Sequence, residues 1–230
     1  MILHDRVVFI TGGAKRIGRA IALALAQRHA RIAFSYRHSR SEAQNTLKTL
    51  QQMGVEALAI QADVSKAKDI TRAIARIRTR FGRLDVLINS AANFHRTPFS
   101  SLSESQWDEV IDTNLKGPFL CALAASRLMR THGGGKIINI ADWAGVRPYR
   151  DYLPYCVSKS GVIGLTKALA KELAPSIQVN AIAPGPMLPP ATMRPAERKR
   201  VIKRVPLQRW GSPEDIANTV GWNYRMTEIE

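Results

Sequence analysis

The chain opens with a short β-branched run that ends at a glycine turn and continues directly into a helical pattern. Residues 6–10 read RVVFI, Thr11, Gly12 and Gly13 follow, and apolar residues recur at helical spacing over 17–25. A strand, a glycine turn and a helix in this order bring backbone N–H groups and the positive end of a helix to one point. We therefore expect an anionic group such as a phosphate to bind at this turn.

The alternation of strand and helix continues along the rest of the chain. Further strands are predicted over 31–36, 55–60, 84–89, 136–141 and 177–182, and further helices over 41–53, 66–81, 104–130 and around Tyr155. Strands that alternate with helices pair in parallel, and ligands of such sheets bind beyond the carboxyl ends of the strands. We predict an α/β fold, a doubly wound parallel sheet formed by a single domain over residues 1–230.

The composition limits the classes of protein to which the chain can belong. Cys121 and Cys156 are too few for a disulfide framework, and neither a signal-peptide pattern nor an apolar window of membrane-spanning length is present. We expect a soluble cytoplasmic protein without a membrane partner. The net charge of +16 raises nucleic acid as a partner. The basic excess contains no nucleic-acid motif, which favours a solvated surface that attracts anionic cofactors.

Tyr155 and Lys159 lie four residues apart within a helical pattern, so both functional groups face the same side of a helix. A phenol with a pKa of about 10 exchanges protons poorly at neutral pH. An ammonium about 4 Å away interacts with it by about 4 kcal/mol at an effective dielectric of about 20. The pair is therefore predicted to do acid/base chemistry near neutral pH. Taken alone, this spacing also arises by chance.

The end of the second predicted strand indicates which dinucleotide the chain prefers. An acid at this point bonds an adenosine ribose, whereas a basic residue accommodates a 2′-phosphate. Here the strand is followed by Arg37, His38 and Ser39, and Lys15 and Arg16 add positive charge from the glycine turn. The pattern favours NADPH over NADH as the cofactor. The alternative is that the arginines are ordinary surface residues of a very basic protein.

Six short motifs at consistent spacing resemble the short-chain dehydrogenase/reductase family over residues 5 to about 220. They are TGGAKRIG at 11–18, ADV at 62–64, Asn89 with the alanines after it, Asn114 within DTNLKG, YCVSK at 155–159 and VNAIAPGP at 179–186. The resemblance implies a one-domain Rossmann enzyme, usually a homotetramer, that transfers hydride from a nicotinamide to a carbonyl or imine.

The resemblance also implies roles for individual residues. Tyr155 donates the proton, Lys159 lowers the pKa of that phenol and holds the nicotinamide ribose, and Asn114 orders a water that relays protons. Asp63 bonds the adenine. Together with the basic residues above, the expected cofactor-binding set is Gly12, Lys15, Arg16, Ile17, Gly18, Arg37, His38, Ser39, Asp63, Val64, Asn89, Ala91, Tyr155, Lys159, Pro184 and Gly185. No metal site is predicted.

Two departures from the family pattern narrow the predicted substrate. Arg16 stands where most members have a glycine, and Asp142 stands where most have a serine, thirteen residues before Tyr155. Both resemble pteridine reductases, as does Phe94, whose ring would stack on a pterin. An ionised Asp142 would raise the pKa of Tyr155 by like-charge repulsion. An aspartate at this position therefore suits a substrate with a ring nitrogen, with which it can share a proton, better than a simple ketone. The alternatives are a surface turn acid for Asp142 and ordinary packing for Phe94.

The predicted catalytic residues are Asn114, Asp142, Tyr155 and Lys159, and the predicted substrate residues are Arg16, Phe94, Asp142 and Tyr155. The sequence therefore predicts an NADPH-dependent oxidoreductase that reduces a pterin or related C=N substrate. The alternatives are a general NADPH-dependent carbonyl reductase of the 3-oxoacyl type and an inactive cofactor-bound protein that binds nucleic acid. The chain ends in GWNYRMTEIE without the strand and glycine-rich segment normal in the family. We expect the last strand to be missing or altered, and a tetramer to be weakened if the end is truncated.

Overall fold

The computed structural model describes residues 3–189 and 193–223. Six strands form one parallel sheet: β1 Val7–Thr11, β2 Arg31–Tyr36, β3 Ala57–Gln61, β4 Val86–Asn89, β5 Gly135–Ile140 and β6 Ile177–Ile182. Their order in space is β3-β2-β1-β4-β5-β6, and every neighbouring pair is parallel. This order is that of a doubly wound dinucleotide-binding sheet, and it confirms the predicted fold class.

Helices cover both faces of the sheet. The described helices are α1 Arg16–Ala26, α2 Arg40–Gln52, α3 Ala67–Phe81, α4 Glu104–Ile111, α5 Gly117–Arg130, α6 Leu153–Leu173, α7 Pro195–Ile202 and α8 Pro213–Asn223. Alternate side chains of β1 pack into the two cores on opposite faces of the sheet, because successive side chains of a strand point to opposite faces. Val8 and Ile10 pack with α1, α2 and α8, whereas Val7 and Phe9 pack with α3 and α5.

The segment predicted as one helix over 104–130 is divided in the structure. A π-helical turn, Asp112–Lys116, joins α4 to α5, and the N–H of Gly117 donates to the carbonyl oxygen of Asp112. Pro118, at the start of α5, has no N–H and cannot continue the α-helical hydrogen bonds. Such turns occur frequently at functional sites, and this one contains Asn114.

The predicted lack of a final strand falls on residues 224–230, which lie outside the described residues. Within the described ranges, no helix is long and apolar enough to cross a bilayer.

The functional residues collect where the order of the strands reverses. β1 lies between β2 and β4, and the connection from β1 to β2 through α1 and that from β3 to β4 through α3 run on opposite faces of the sheet. Thr11 aligns with Asn89 and Asn89 with Asn139, which brings the ends of β1, β4 and β5 to the same edge. Loops that leave these ends therefore surround one crevice.

Candidate functional site

A cavity of ≈ 860 Å³ occupies this crevice at the carboxyl ends of the strands. It is lined by the glycine turn after β1, the ends of β2 and β3, the loop after β4, the start of α6 and the loop after β6. Every residue of the predicted cofactor-binding and substrate sets lines it except Asn89. The structure therefore brings together residues that lie far apart in the sequence.

The glycine turn is shaped for close approach by a ligand. Gly12 adopts a φ of 68°, and a Cβ there would lie 2.9 Å from the Cα of Ala91. A Cβ on Gly18 would overlap the carbonyl group of Gly12. These positions exclude side chains, so the N–H groups at the start of α1 remain accessible to an anion.

Arg16 is exposed and adopts a φ of 53°, in the left-handed region that favours glycine. The glycine that most of the family carries here would occupy that conformation without strain, whereas an arginine costs about 1–2 kcal/mol. Residues kept in unfavourable backbone conformations cluster at functional sites. This outlier supports a functional role for the guanidinium.

Arg37, His38 and Ser39 form a basic corner at the end of β2, beside the N-terminus of α2. Arg37 Nε lies 3.1 Å from Asp63 Oδ2, so the two residues predicted to bind the phosphate and the adenine also pair with each other. Burial raises the pKa of Asp63, but hydrogen bonds from Ser65 and the charge of Arg37 lower it more, and the net pKa lies below its usual value. The remaining guanidinium N–H groups of Arg37 can still bind a phosphate.

Tyr155 and Asp142 form the chemical centre of the cavity. The phenol hydroxyl of Tyr155 donates to Asp142 Oδ2 at 2.7 Å, and the N–H of Ala144 donates to Asp142 Oδ1 at 2.7 Å. Tyr155 is only 7% exposed. Burial, and then the charge of and hydrogen bond to Asp142, raise the pKa of Tyr155 far above its usual value. The expected like-charge effect of Asp142 is confirmed by this direction.

The lowering of the Tyr155 pKa by Lys159 stays a prediction, and the structure shows the ammonium of Lys159 bonded to the backbone. Lys159 Nζ lies 5.7 Å from the centre of the Tyr155 ring and donates to the carbonyl oxygen of Ile140 at 2.7 Å. Burial lowers the pKa of Lys159 to about 8, and the charge of Asp142 opposes this. The ammonium is therefore directed at the backbone, and the nearest charge to the phenol is that of Asp142.

An aromatic wall packs against Tyr155 in the cavity lining. The rings of Phe94 and Tyr152 are stacked at 4.6 Å between centroids, and Phe94 meets the Tyr155 ring edge-on at 4.7 Å. Tyr149 packs edge-on against Tyr152 at 6.4 Å. Tyr149 and Tyr152 were missed by the sequence prediction, although Tyr152 lies three residues before Tyr155 and thus on the same side of the helix start.

Two predicted site residues lie behind the cavity lining. The amide of Asn89 donates to Asn139 Oδ1 at 2.8 Å, within the sheet, and Asn89 does not line the cavity. Its predicted place near the cofactor stays a prediction, and the next two residues, Ser90 and Ala91, do line the cavity. Asn114 is also fully buried, and it exchanges hydrogen bonds with the backbone of Asn93, which does line the cavity. Asn114 thus shapes the wall rather than forming it.

The loop after β6 covers the remaining side of the cavity. Residues 184–188 line it, together with Met193, Val201 of α7 and Trp210. The site as a whole combines an anion cradle, a cationic corner, a proton-bearing phenol and a flat apolar wall, which fits a dinucleotide with a small organic substrate beside it.

Comparisons with known proteins agree with this geometry. The family model described as short chain dehydrogenase matches residues 6–200. The 3-oxoacyl-acyl-carrier-protein reductase FabG of Staphylococcus epidermidis is 37% identical over 221 residues, which cover 95% of this chain and 91% of that protein.

Two solved structures show the same fold. A variant of actinorhodin polyketide ketoreductase with NADPH superposes with a TM-score of 0.89 at 32% identity, over 95% of this chain and 87% of the other. An NAD⁺-bound xylitol dehydrogenase superposes with a TM-score of 0.91 at 28% identity, over 96% and 93%. Both contain a nicotinamide dinucleotide, one with and one without the 2′-phosphate.

Proposed function

This chain belongs to the short-chain dehydrogenase family, so it is an oxidoreductase that uses a nicotinamide cofactor, and from that premise we propose that it is an NADPH-dependent reductase of carbonyl compounds. The observation that carries the proposal is the phenol of Tyr155, held protonated at the edge of a dinucleotide-shaped cavity. Family membership also favours an enzyme over the nucleic-acid-binding alternative.

The preference for NADPH is supported by the charges at the end of β2. Arg37 and His38 line the cavity there, and Lys15 and Arg16 face the same corner from the glycine turn. Several of the residues that line this part are cationic, and the acid among them, Asp63, is already paired with Arg37. A 2′-phosphate bound here would offset the mutual repulsion of these cations. It would also accept charge-assisted hydrogen bonds from them.

The 3-oxoacyl class is the first substrate that we propose, because relatives at 37% identity are named 3-oxoacyl-acyl-carrier-protein reductases. A bound nicotinamide would supply the hydride to the carbonyl carbon. The substrate oxygen would displace Asp142 as the acceptor of the Tyr155 proton, which yields the alcohol. Lys159 would hold the ribose through an ammonium whose pKa, lowered by burial to about 8, keeps it mostly protonated at neutral pH.

A second candidate is a pterin, and the contact between Asp142 and Tyr155 favours it. Reduction of a C=N bond delivers a proton to nitrogen. The pterin ring also carries N–H groups that can donate hydrogen bonds to a carboxylate. A simple ketone offers no such donor. Phe94, which is 43% exposed, provides a flat surface for the ring.

A substrate panel tests these proposals. NADPH oxidation is measured with acetoacetyl-CoA, dihydrobiopterin and dihydrofolate, and each is repeated with NADH. Turnover of the ketone with slow or absent pterin reduction supports the first proposal, and the reverse supports the second. Tyr155→Phe should lower kcat about 10²–10⁴-fold with either substrate, because it removes the general acid. Near-normal turnover by this variant would show that the proton comes from another group.

Asp142→Ser separates the two substrate classes further. A serine restores the residue that most of the family carries and leaves a hydroxyl that can bond a carbonyl oxygen. Ketone reduction should therefore persist or increase in this variant, whereas pterin reduction should fall because the carboxylate is lost. Equal losses for both substrates would mean that Asp142 does not discriminate between them.

We also propose that the protein forms a homo-oligomer, as the family resemblance implies. Phe119 and Leu123 lie one turn apart on α5 and are 43% and 46% exposed, and Leu153 and Val157 form a similar pair on α6. Apolar pairs on exposed helix faces are typical of surfaces that associate. Light scattering after size-exclusion chromatography measures the mass, and a monomer at micromolar concentration would contradict the proposal.

A further inference from the structure

Tyr155 lies in the first turn of α6, which contains a proline, Pro154, but has no side-chain cap. The N-cap residue Tyr152 makes no side-chain hydrogen bond to the turn, and the first turn contains no acidic residue. Helix starts depend on such partners for their free N–H groups. Contacts from outside the helix therefore contribute to the position of Tyr155.

The loop after β4 supplies these contacts. Arg96 Nη2 lies 2.7 Å from Asp151 Oδ2, and the N–H of Thr97 donates to the carbonyl oxygen of Asp151 at 2.6 Å. Thr97 also pairs with Tyr152 as an isolated parallel β-bridge. Because Thr97 is only 3% exposed, this backbone pairing is shielded from water. We call the ion pair and the backbone pairing together the 96–151 clamp.

The same loop carries one half of the aromatic wall. Phe94 lies two residues before Arg96 and stacks on Tyr152, which lies one residue after Asp151. The clamp thus ties together both segments that bear the wall. Asp151 adopts a φ of 66°, a conformation that is uncommon outside glycine but in which Asp and Asn are enriched. An outlier beside a functional site supports a role in positioning.

We propose that Arg96 and Asp151 are positioning residues that hold Tyr155 and the Phe94–Tyr152 wall at a fixed separation, an inference that rests on the proposed role of Tyr155 as proton donor. Neither residue lines the cavity itself. Loss of the ion pair lets the start of α6 move relative to the loop after β4. The proton donor is then misplaced in part of the molecules, which lowers kcat but leaves cofactor binding unchanged.

Charge-neutral variants test the proposal. Arg96→Gln and Asp151→Asn each remove one charge, and Asn retains the backbone conformation at position 151. The loss of an exposed ion pair changes a conformational equilibrium by about two- to fivefold. If the same fraction of molecules loses the correct position of the proton donor, kcat should fall about two- to fivefold in each variant. The Kd of NADPH should stay within about twofold of its original value. Arg96→Lys keeps the charge and should recover most of kcat, and the double variant should be no slower than the slower single variant.

A matched control and a second measurement complete the test. Arg80→Gln breaks an exposed ion pair with Glu56 of similar length, 2.9 Å, and should leave kcat unchanged. Amide hydrogen exchange over residues 153–160 should be faster in Arg96→Gln than in Arg80→Gln. This readout needs no substrate, so it tests the clamp even if the proposed reaction fails. Unchanged kcat and unchanged exchange, or additive losses in the double variant, would overturn the proposal.

Discussion

The buried ammonium of Lys159 makes a measurable prediction about the stability of the fold. Lys159 is 4% exposed, and burial lowers its pKa from about 10.5 to about 8. In the unfolded chain the same lysine is hydrated and keeps its ordinary pKa. Between these two values the unfolded chain therefore binds one proton that the native protein does not bind.

The sign and size of the effect follow from proton linkage. Stability rises with pH wherever the unfolded state binds more protons. The penalty of holding a buried ammonium is fully present below pH 8, and it is relieved as the pH rises from about 8 to about 10.5. At about 1.4 kcal/mol per pH unit, this amounts to a gain of up to about 3 kcal/mol over the interval. Lys159→Met removes the titrating group and with it this gain.

Urea unfolding of the two proteins, followed by circular dichroism from pH 7 to pH 10.5 at constant ionic strength, measures the difference. The free energy of unfolding of the original protein should rise relative to that of Lys159→Met by up to about 3 kcal/mol as the pH increases. Lys167→Met removes an exposed lysine eight residues further along α6 and should run parallel to the original protein. Parallel curves for all three proteins would refute the inferred burial cost.

Three further predictions concern the cavity. Arg37→Asp should lower the ratio of kcat/KM for NADPH to that for NADH by about tenfold or more, because a charge-assisted phosphate contact is replaced by repulsion; an unchanged ratio would place the phosphate elsewhere. Arg16→Gly should raise the Kd of NADPH about tenfold yet leave the urea midpoint equal or higher, since glycine relieves the strain at φ 53°; a lower midpoint would contradict this. Asp142→Asn should lower the pKa of Tyr155 by removing a charge that raises it, so the phenolate absorbance of Tyr155, taken as the difference between each protein and its Tyr155→Phe counterpart, should appear at lower pH in the variant; an unmoved titration would exclude that coupling.

The sheet was predictable from the sequence because each strand carries its own local signal. Bounds over 31–36 and 177–182 agree with β2 and β6, since β-branched runs there end at turn residues. The division of the segment 104–130 was not predicted, because the helical pattern continues through the π-turn and the effect of Pro118 depends on how the two helices pack. Local propensity alone does not reveal that packing.

The residues that line the site were predictable from the sequence, but the contacts between them were not. The family motifs identify Tyr155, Lys159 and Asp142, and all three line one cavity. Spacing on a helix shows only that two groups share a face, and it does not show that Lys159 donates to the backbone of Ile140. The clamp between residues 96 and 151 was also beyond the sequence, because its two halves lie more than fifty residues apart in the chain.

The contact between Asp142 and Tyr155 bears on the protonation state of the phenol. A reductase needs a protonated phenol, whereas alcohol oxidation needs a phenolate that accepts a proton. Burial and the charge of Asp142 both raise the pKa of Tyr155, so they favour the protonated form and oppose the phenolate. Donation of the proton to a substrate leaves the same phenolate at hydrogen-bond distance from the same carboxylate, so the charge of Asp142 opposes the proton transfer in reduction as well. Asp142 therefore keeps Tyr155 protonated before the substrate binds, whichever of the two proposed substrate classes that is.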